Sequence, residues 1–442
     1  MLRAIGVQRL DELFEDVPEA VRFPDLALPE GISELDLTRT FAALGERNRG
    51  VDRHPCFLGA GAYHHFTPAL IPHLLFRGEL YTAYTPYQPE VSQGTLQTIF
   101  EFQSMVCALF GADVANASMY DGSTALAEGG LMALRIAKGS RRRLLVSDAI
   151  HPEYREVVRT YTRGMDVDLV PVGMDGGVTP AARVAAAMDD QCAGVLLQYP
   201  NFLGQIEPLA EIAEAVHARG GVVVVAADPV ACARLRPPGE LGADIVVAEG
   251  QPLGIPLFYG GPYVGLFATR QELTRQMPGR LVGLAKDAKE RQGFVLTLKT
   301  REQDIRREKA TSNICTNEAL IATAVTIYLA AMGKSGLRQV ADHCYHRAHY
   351  LVDRLLAIDG IEAGADGHFF RETALQLRVP PAELNRRLWD DYGIIGGLDL
   401  TATYPQLRNG WLVTATEMNS RADIDGFADA VETVIAARKG GA

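Results

Sequence analysis

The chain has 442 residues, 48% of them apolar and 22% charged, which is enough to bury a large core and to divide into two or three domains. A formal charge of −11 argues against a nucleic-acid surface or an anionic membrane as partner. The six cysteines are scattered, with no pair at metal-ligand spacing, so reduced thiols in a cytoplasmic protein are expected.

The N-terminal stretch MLRAIGVQRLDELFEDVPEA is acidic and amphipathic, unlike a signal or transit peptide, and no apolar run reads as membrane-spanning. Residues 1 to about 50 read as short helices broken by Pro18, Pro24 and Pro29. From Phe57 to Gln93 glycine, proline and aromatic residues dominate without periodicity, which predicts an ordered loop region. Leu96, Ile99, Phe100, Val106, Leu109 and Phe110 then form a helical stripe ending near Gly111. Apolar strands are predicted at 143–147, 168–172, 193–200, 221–227, 244–250 and 263–269, most of them separated by helical patterns. Such alternation indicates a mainly parallel sheet covered on both faces. A helical region over 317–358 leads into strands near 373–379 and 411–416 and helices at 380–392 and 421–438. The expected organisation is an arm with interface loops (1–94), a large α/β domain (95–315) and a small C-terminal α+β domain (316–442).

That architecture is the one expected of a pyridoxal-phosphate (PLP) dependent transferase of the aspartate aminotransferase type. Three segments bear on the chemistry. In SMYDGSTALAE, Gly122, Ser123 and Thr124 open a helix whose free N–H groups suit a phosphate, although Ser and Thr at such a place are more often simple caps. Asp228 ends the most continuous apolar strand, where a carboxylate would pair with a protonated pyridine nitrogen; an Asp-Pro turn explains it equally well. An enzyme of this class holds PLP through a lysine amine, yet no lysine lies between Lys138 and Lys286. Gln251 and Pro252 stand where a His-Lys pair is expected, and proline forms no such linkage. Lys286, Lys289, Lys299 and Lys309 sit on polar stretches typical of a solvated face. His343, His346 and His349 read as a solvated helix face rather than a metal site, and His64, His65 and His151 as loop histidines with structural hydrogen bonds or a place beside a site. The run Arg141–Arg143 reads as a solvated loop.

The long motifs FLGAGAYHHFTPALI, YTAYTPYQPEVSQGTLQTIFEFQSMVCALFG, DVANASMYDGSTALAE, GLAKDAKERQGFVLTLKTREQDIRREKATSNICTN and GIIGG resemble the N-terminal half of the P-protein family of the glycine cleavage system, over nearly the whole chain. In many prokaryotes that half is a separate alpha subunit, and the terminal GGA is expected to end it. The resemblance implies that the PLP lysine belongs to a beta subunit (subunit 2), in an α2β2 assembly that decarboxylates glycine. The aminomethyl group then passes to the lipoyl arm of H-protein. It implies that no PLP is bound to this chain, that Gly122, Ser123, Thr124, Asp228, Gln251 and Pro252 are vestigial pocket positions, and that Tyr84, Tyr87, Gln88, Ser92 and Gln93 are candidates to line the partner's site or only pack the interface. Two alternatives stand beside it: a self-sufficient PLP enzyme using a displaced lysine such as Lys286 or Lys299, and a non-catalytic scaffold for the beta subunit.

Overall fold

The structure, a computed structural model, describes residues 1–439 apart from Tyr87, Cys315 and Thr316. It forms two compact units, Met1–Arg53 and His54–Ala442. The first carries helices α1 (Leu2–Ile5) and α2 (Glu34–Gly45), neither of which buries a side chain. Ser33 caps α2 by accepting from the Asp36 N–H at 3.2 Å.

In the second unit a short helix α3 (Leu70–Leu75) precedes α4 (Gln93–Phe110), whose predicted stripe faces the core and which stops at Gly111 in a left-handed turn. The chain then runs through β1 (Val114–Ala115), α5 (Gly122–Ile136), β2 (Arg143–Ser147), α6 (Pro152–Thr162), β3 (Asp168–Val172), α7 (Ala181–Ala187), β4 (Cys192–Tyr199), α8 (Leu209–His217), β5 (Val222–Ala227), β6 (Ile245–Glu249) and β7 (Gly265–Thr269). These strands form one seven-stranded sheet in the order β1-β7-β6-β5-β4-β2-β3. The β3-β2-β4-β5-β6 part is parallel. Every residue of β5 is buried, as expected of a parallel strand covered on both faces. Strand β7, read from the sequence only as part of a mainly parallel sheet, runs antiparallel to β6 and β1. No helix separates β6 from β7, and without a crossover the chain can only return antiparallel.

An antiparallel hairpin, β8 (Leu281–Lys286) and β9 (Gln292–Thr297), follows where the sequence showed only polar stretches with lysines. Two glutamines of α4 grip it through paired backbone contacts. Gln103 bonds the Val282 carbonyl and N–H, both at 2.9 Å, and Gln93 bonds those of Phe294 at 2.9 and 2.8 Å. Lys286 on this hairpin is exposed and pairs with Glu290.

After a short α9 (Gln303–Arg306), the long α10 (Ala319–Leu356) joins two cores. Its first part packs Val325, Tyr328 and Ala341 under the large sheet, and its last part packs Leu351 and Leu355 into the core beneath the C-terminal four-stranded sheet. By length and composition α10 could cross a bilayer, which corrects the reading that no run in the chain has that character. Buried side chains such as Ile321, Val325 and Tyr328 supply part of its apolarity, and the backbone leaves the helical region at Gly333 (φ 59°, ψ −177°). The C-terminal part adds β10 (Ile361–Ala363), β11 (Glu372–Leu377), α11 (Pro381–Tyr392), β12 (Leu398–Asp399), β13 (Gly410–Thr414) and α12 (Arg421–Lys439), with an antiparallel sheet in the order β10-β11-β13-β12. Phe57, from the loop region before α3, stacks on Phe427 of α12 at 3.9 Å and so ties that loop to the small core.

Candidate functional site

Parallel α/β sheets present their ligands at the carboxyl ends of the strands. Here the ends of β4, β5 and β6 face the N-terminus of α5 and the start of β11, around a cavity of about 50 Å³ whose lining includes Tyr63, His151, Asp228, Glu249, Arg371 and Glu372. Drug-sized ligands occupy pockets of roughly 300–1,000 Å³, so this space suits a few waters at most.

Asp228 lies at the end of β5, as the sequence suggested. Its Oδ1 accepts from the Val230 and Ala231 N–H groups at 2.9 and 3.1 Å, so the Asp-Pro turn reading holds. Its Oδ2 pairs with Arg371 at 2.6 Å, and the arginine side chain is only 2% exposed. Burial works against the Arg371 cation, but the negative charge of Asp228 holds its pKa above the usual value. The same guanidinium lies 3.5 Å from the Tyr63 ring centroid and donates to His65 Nε2, leaving His65 Nδ1 to donate to Glu417 at 2.7 Å. Burial pushes the Glu417 carboxyl up, but His65 and the Phe66 N–H outweigh it and leave a pKa of about 2. Glu372 accepts from the Tyr63 hydroxyl and from the Ala60 N–H at 3.0 Å, and burial raises its pKa to about 7.

Gly122, Ser123 and Thr124 do open α5, but the Gly122 and Thr124 N–H groups of that turn already have side-chain acceptors within the chain. Asp121 makes a capping box: Oδ1 accepts from the Thr124 N–H at 2.8 Å and the Ser123 hydroxyl at 2.5 Å, and Thr124 Oγ1 answers the Asp121 N–H at 3.2 Å. The Glu249 carboxylate, from the end of β6, accepts from Gly122 N–H at 3.0 Å, from Gln251 N–H at 3.0 Å and from Val264 N–H at 3.3 Å. Burial lifts its pKa to about 7 against these three hydrogen bonds. A side chain at position 122 would place its Cβ 2.5 Å from Tyr154 Oη and 2.8 Å from the Glu249 nitrogen, so only glycine fits.

Gln251 is fully buried, and its amide is spent on structure. Oε1 accepts from Tyr63 N–H at 2.9 Å, while Nε2 donates to the Tyr63 carbonyl at 2.9 Å and the Ile255 carbonyl at 2.8 Å. Pro252 lines the cavity, and none of the described lining residues is a lysine. His151 caps α6 and accepts from Glu153 N–H while its Nε2 meets the Ala60 carbonyl at 3.0 Å, and burial lowers its pKa. Of the three-residue-spaced histidines, His343 and His346 are exposed and His349 stacks on Phe369 at 4.0 Å. His65, Cys344 and Glu417 approach one another within 4.8 Å, a grouping invisible in the spacing of the sequence, but both His65 nitrogens are engaged and a guanidinium adjoins them.

Tyr84 and Gln88 are exposed and none of the described loop candidates lines this cavity. Ser92 Oγ meets the Gln88 carbonyl at 3.3 Å, and Gln93 is committed to the hairpin. Tyr87 lies outside the described residues. Sequence reasoning did not single out Glu249, Arg371, Glu372 and Glu417. Glu249 closing the apolar strand DIVVAEG, and Arg371-Glu372 opening the apolar strand ETALQL, were the available signals.

Comparison with known proteins places this geometry in context. The family model of the glycine cleavage system P-protein matches residues 1–429. The chain is 50% identical to the probable glycine dehydrogenase (decarboxylating) subunit 1 of Thermomicrobium roseum, over 99% of this chain and 97% of that one. It is also 50% identical to the protein of that description from Geobacillus kaustophilus, over 97% and 95%. A crystal structure of glycine decarboxylase (P-protein) of the glycine cleavage system, in inhibitor-bound form, superposes with a TM-score of 0.91 at 42% identity, covering 98% of this chain and 97% of that one. Glutamate decarboxylase of Lactobacillus brevis, at 16% identity, TM-score 0.69 and coverage of 96% and 97%, shares the fold alone.

Proposed function

The chain belongs to the glycine cleavage system P-protein family, with the PLP-dependent transferase fold, and from that we propose that it is the alpha subunit of a two-subunit glycine decarboxylase. Glycine dehydrogenase (decarboxylating) activity belongs to the enzyme it helps to form. In this reading a beta subunit holds PLP covalently, the two chains assemble as α2β2, and the lipoyl arm of H-protein accepts the aminomethyl group in the cytoplasm. The arm and interface loops (1–94), large domain (95–315) and small domain (316–442) are its working parts.

One observation carries the reading: the cavity at the strand ends has Pro252, preceded by the buried Gln251, and no lysine among its described lining residues. Without an amine at that place the chain cannot hold the cofactor covalently by itself. The chain's own contribution is positioning. Gln251, Glu372 and Glu417 fix the 57–66 loop, and Gln93 fixes the end of the 84–93 segment that leaves Tyr84 and Gln88 exposed to a partner.

The test is release of carbon dioxide from carboxyl-labelled glycine, with oxidised lipoyl H-protein present, by this chain, by its partner and by the two together. Turnover only in the mixture supports the reading. Turnover by this chain alone supports the self-sufficient alternative. Substitutions at Tyr84, Gln88 and Ser92 separate a shared site from a scaffold, since a scaffold leaves turnover of the assembled enzyme unchanged.

A further inference from the structure

A PLP site in this fold needs an electropositive cradle for the phosphate and a carboxylate for the protonated ring nitrogen. Both features are present in this chain, and both are already engaged by groups of opposite charge. The N–H groups of Gly122, Gln251 and Val264, which converge as an anion cradle, donate to the Glu249 carboxylate, and the Asp121 carboxylate stands on the Thr124 N–H of the same turn. Asp228 carries the Arg371 guanidinium at 2.6 Å.

We infer that the cofactor pocket of this chain is self-liganded: Glu249 takes the place of a phosphate and Arg371 the place of a protonated ring nitrogen. The residues present therefore do not fit PLP, even without a covalent bond. A phosphate would meet two carboxylates within its own cradle, and a pyridinium would meet a guanidinium already seated on Asp228. The remaining 50 Å³ is too small for the ring. The same substitutes serve a structural purpose. Glu372 opens strand β11 of the small sheet with Arg371 just before it, Glu249 ends β6 and Asp228 follows β5 of the large one, and Tyr63 of the 57–66 loop touches both Arg371 and Glu372. A cofactor ordinarily bridges these parts. Here an internal ion pair and an internal carboxylate do so permanently.

This inference rests on the alpha-subunit reading and goes beyond the missing lysine, because it predicts exclusion of a cofactor form that needs no lysine. The probe is pyridoxamine phosphate, which has no aldehyde, added to the purified full chain and followed by equilibrium dialysis. The wild-type chain is expected to show no saturable binding up to millimolar probe. Glu249→Gly with Arg371→Met removes one of the two carboxylates from the cradle and frees Asp228 as well, and at least a tenfold gain in affinity over wild type is expected. Glu249→Gln, which removes the charge but keeps the shape, is the variant least exposed to misfolding and is expected to gain binding more weakly. Saturable binding by the wild-type chain overturns the inference, as does a folded variant of either kind with no gain. Probe binding is read on this chain alone and carbon dioxide release on the assembled pair, so the inference and the alpha-subunit reading fail separately.

Discussion

Replacing Arg371 by methionine tests whether the buried charge network holds the seven-stranded and four-stranded sheets together. Arg371 is 2% exposed and Asp228 14%, so their 2.6 Å contact is shielded from water. Removing one partner of such a pair strands the other charge and costs about 3–5 kcal/mol. Asp228 keeps two backbone N–H bonds in the variant, which places the expected loss near the lower end, about 3 kcal/mol. At about 2.1 cal/mol/K per residue over His54–Ala442, that is a fall in Tm of roughly 4 °C. Urea unfolding of wild type, R371M, D228N and the double variant forms a complete cycle. A coupling of about 2 kcal/mol between the two positions is expected, with the double variant more stable than R371M. If R371M loses less than about 1 kcal/mol, or if the two changes add, the network does not act as argued.

The carboxyl groups of Glu249 and Glu372 give stability a pH dependence of known sign. Each folded pKa, about 7, lies above the ordinary value of 4.5, so its contribution is full below about pH 4.5 and is lost as pH rises to about 7. The melting curves of wild type and Glu249→Gln should therefore separate progressively between those values, by at most about 3 kcal/mol, and a constant difference contradicts the assignment. Glu417 has the opposite sign: with a folded pKa of about 2, it contributes stability above pH 4.5 that is lost as pH falls, and Glu417→Gln should flatten the acid limb of the stability curve. Gly204 has φ 84° and its Cβ would fall 1.7 Å from the Glu372 carbonyl, so Gly204→Ala should cost about 3 kcal/mol in urea unfolding; a neutral result contradicts the close approach of β11 to the β4 end.

Strands β2 to β6 were legible because each is an apolar run between turn formers, and their lengths agree with the sequence reading to within a residue or two. The β8–β9 hairpin was not, because its alternation is weak and its support comes from Gln93 and Gln103 on a distant helix. The candidate site divides in the same way. Gly122, Asp228 and Gln251 stand at strand and helix ends, where position alone suggests a role. Arg371 lies far along the chain from Asp228, and Glu249 reads as an ordinary strand-end acid until the α5 N-terminus folds against it. Such pairings are long-range, and local pattern does not encode them.

Most direct is a measurement of which chain carries the cofactor. Borohydride reduction of the enzyme assembled with PLP fixes the cofactor to its lysine, and peptide mass mapping then locates the pyridoxyl group. The account predicts that the modified lysine lies in the partner subunit and that this chain remains unmodified. A pyridoxyl group on Lys138, Lys286, Lys299 or any other lysine of this chain would contradict it.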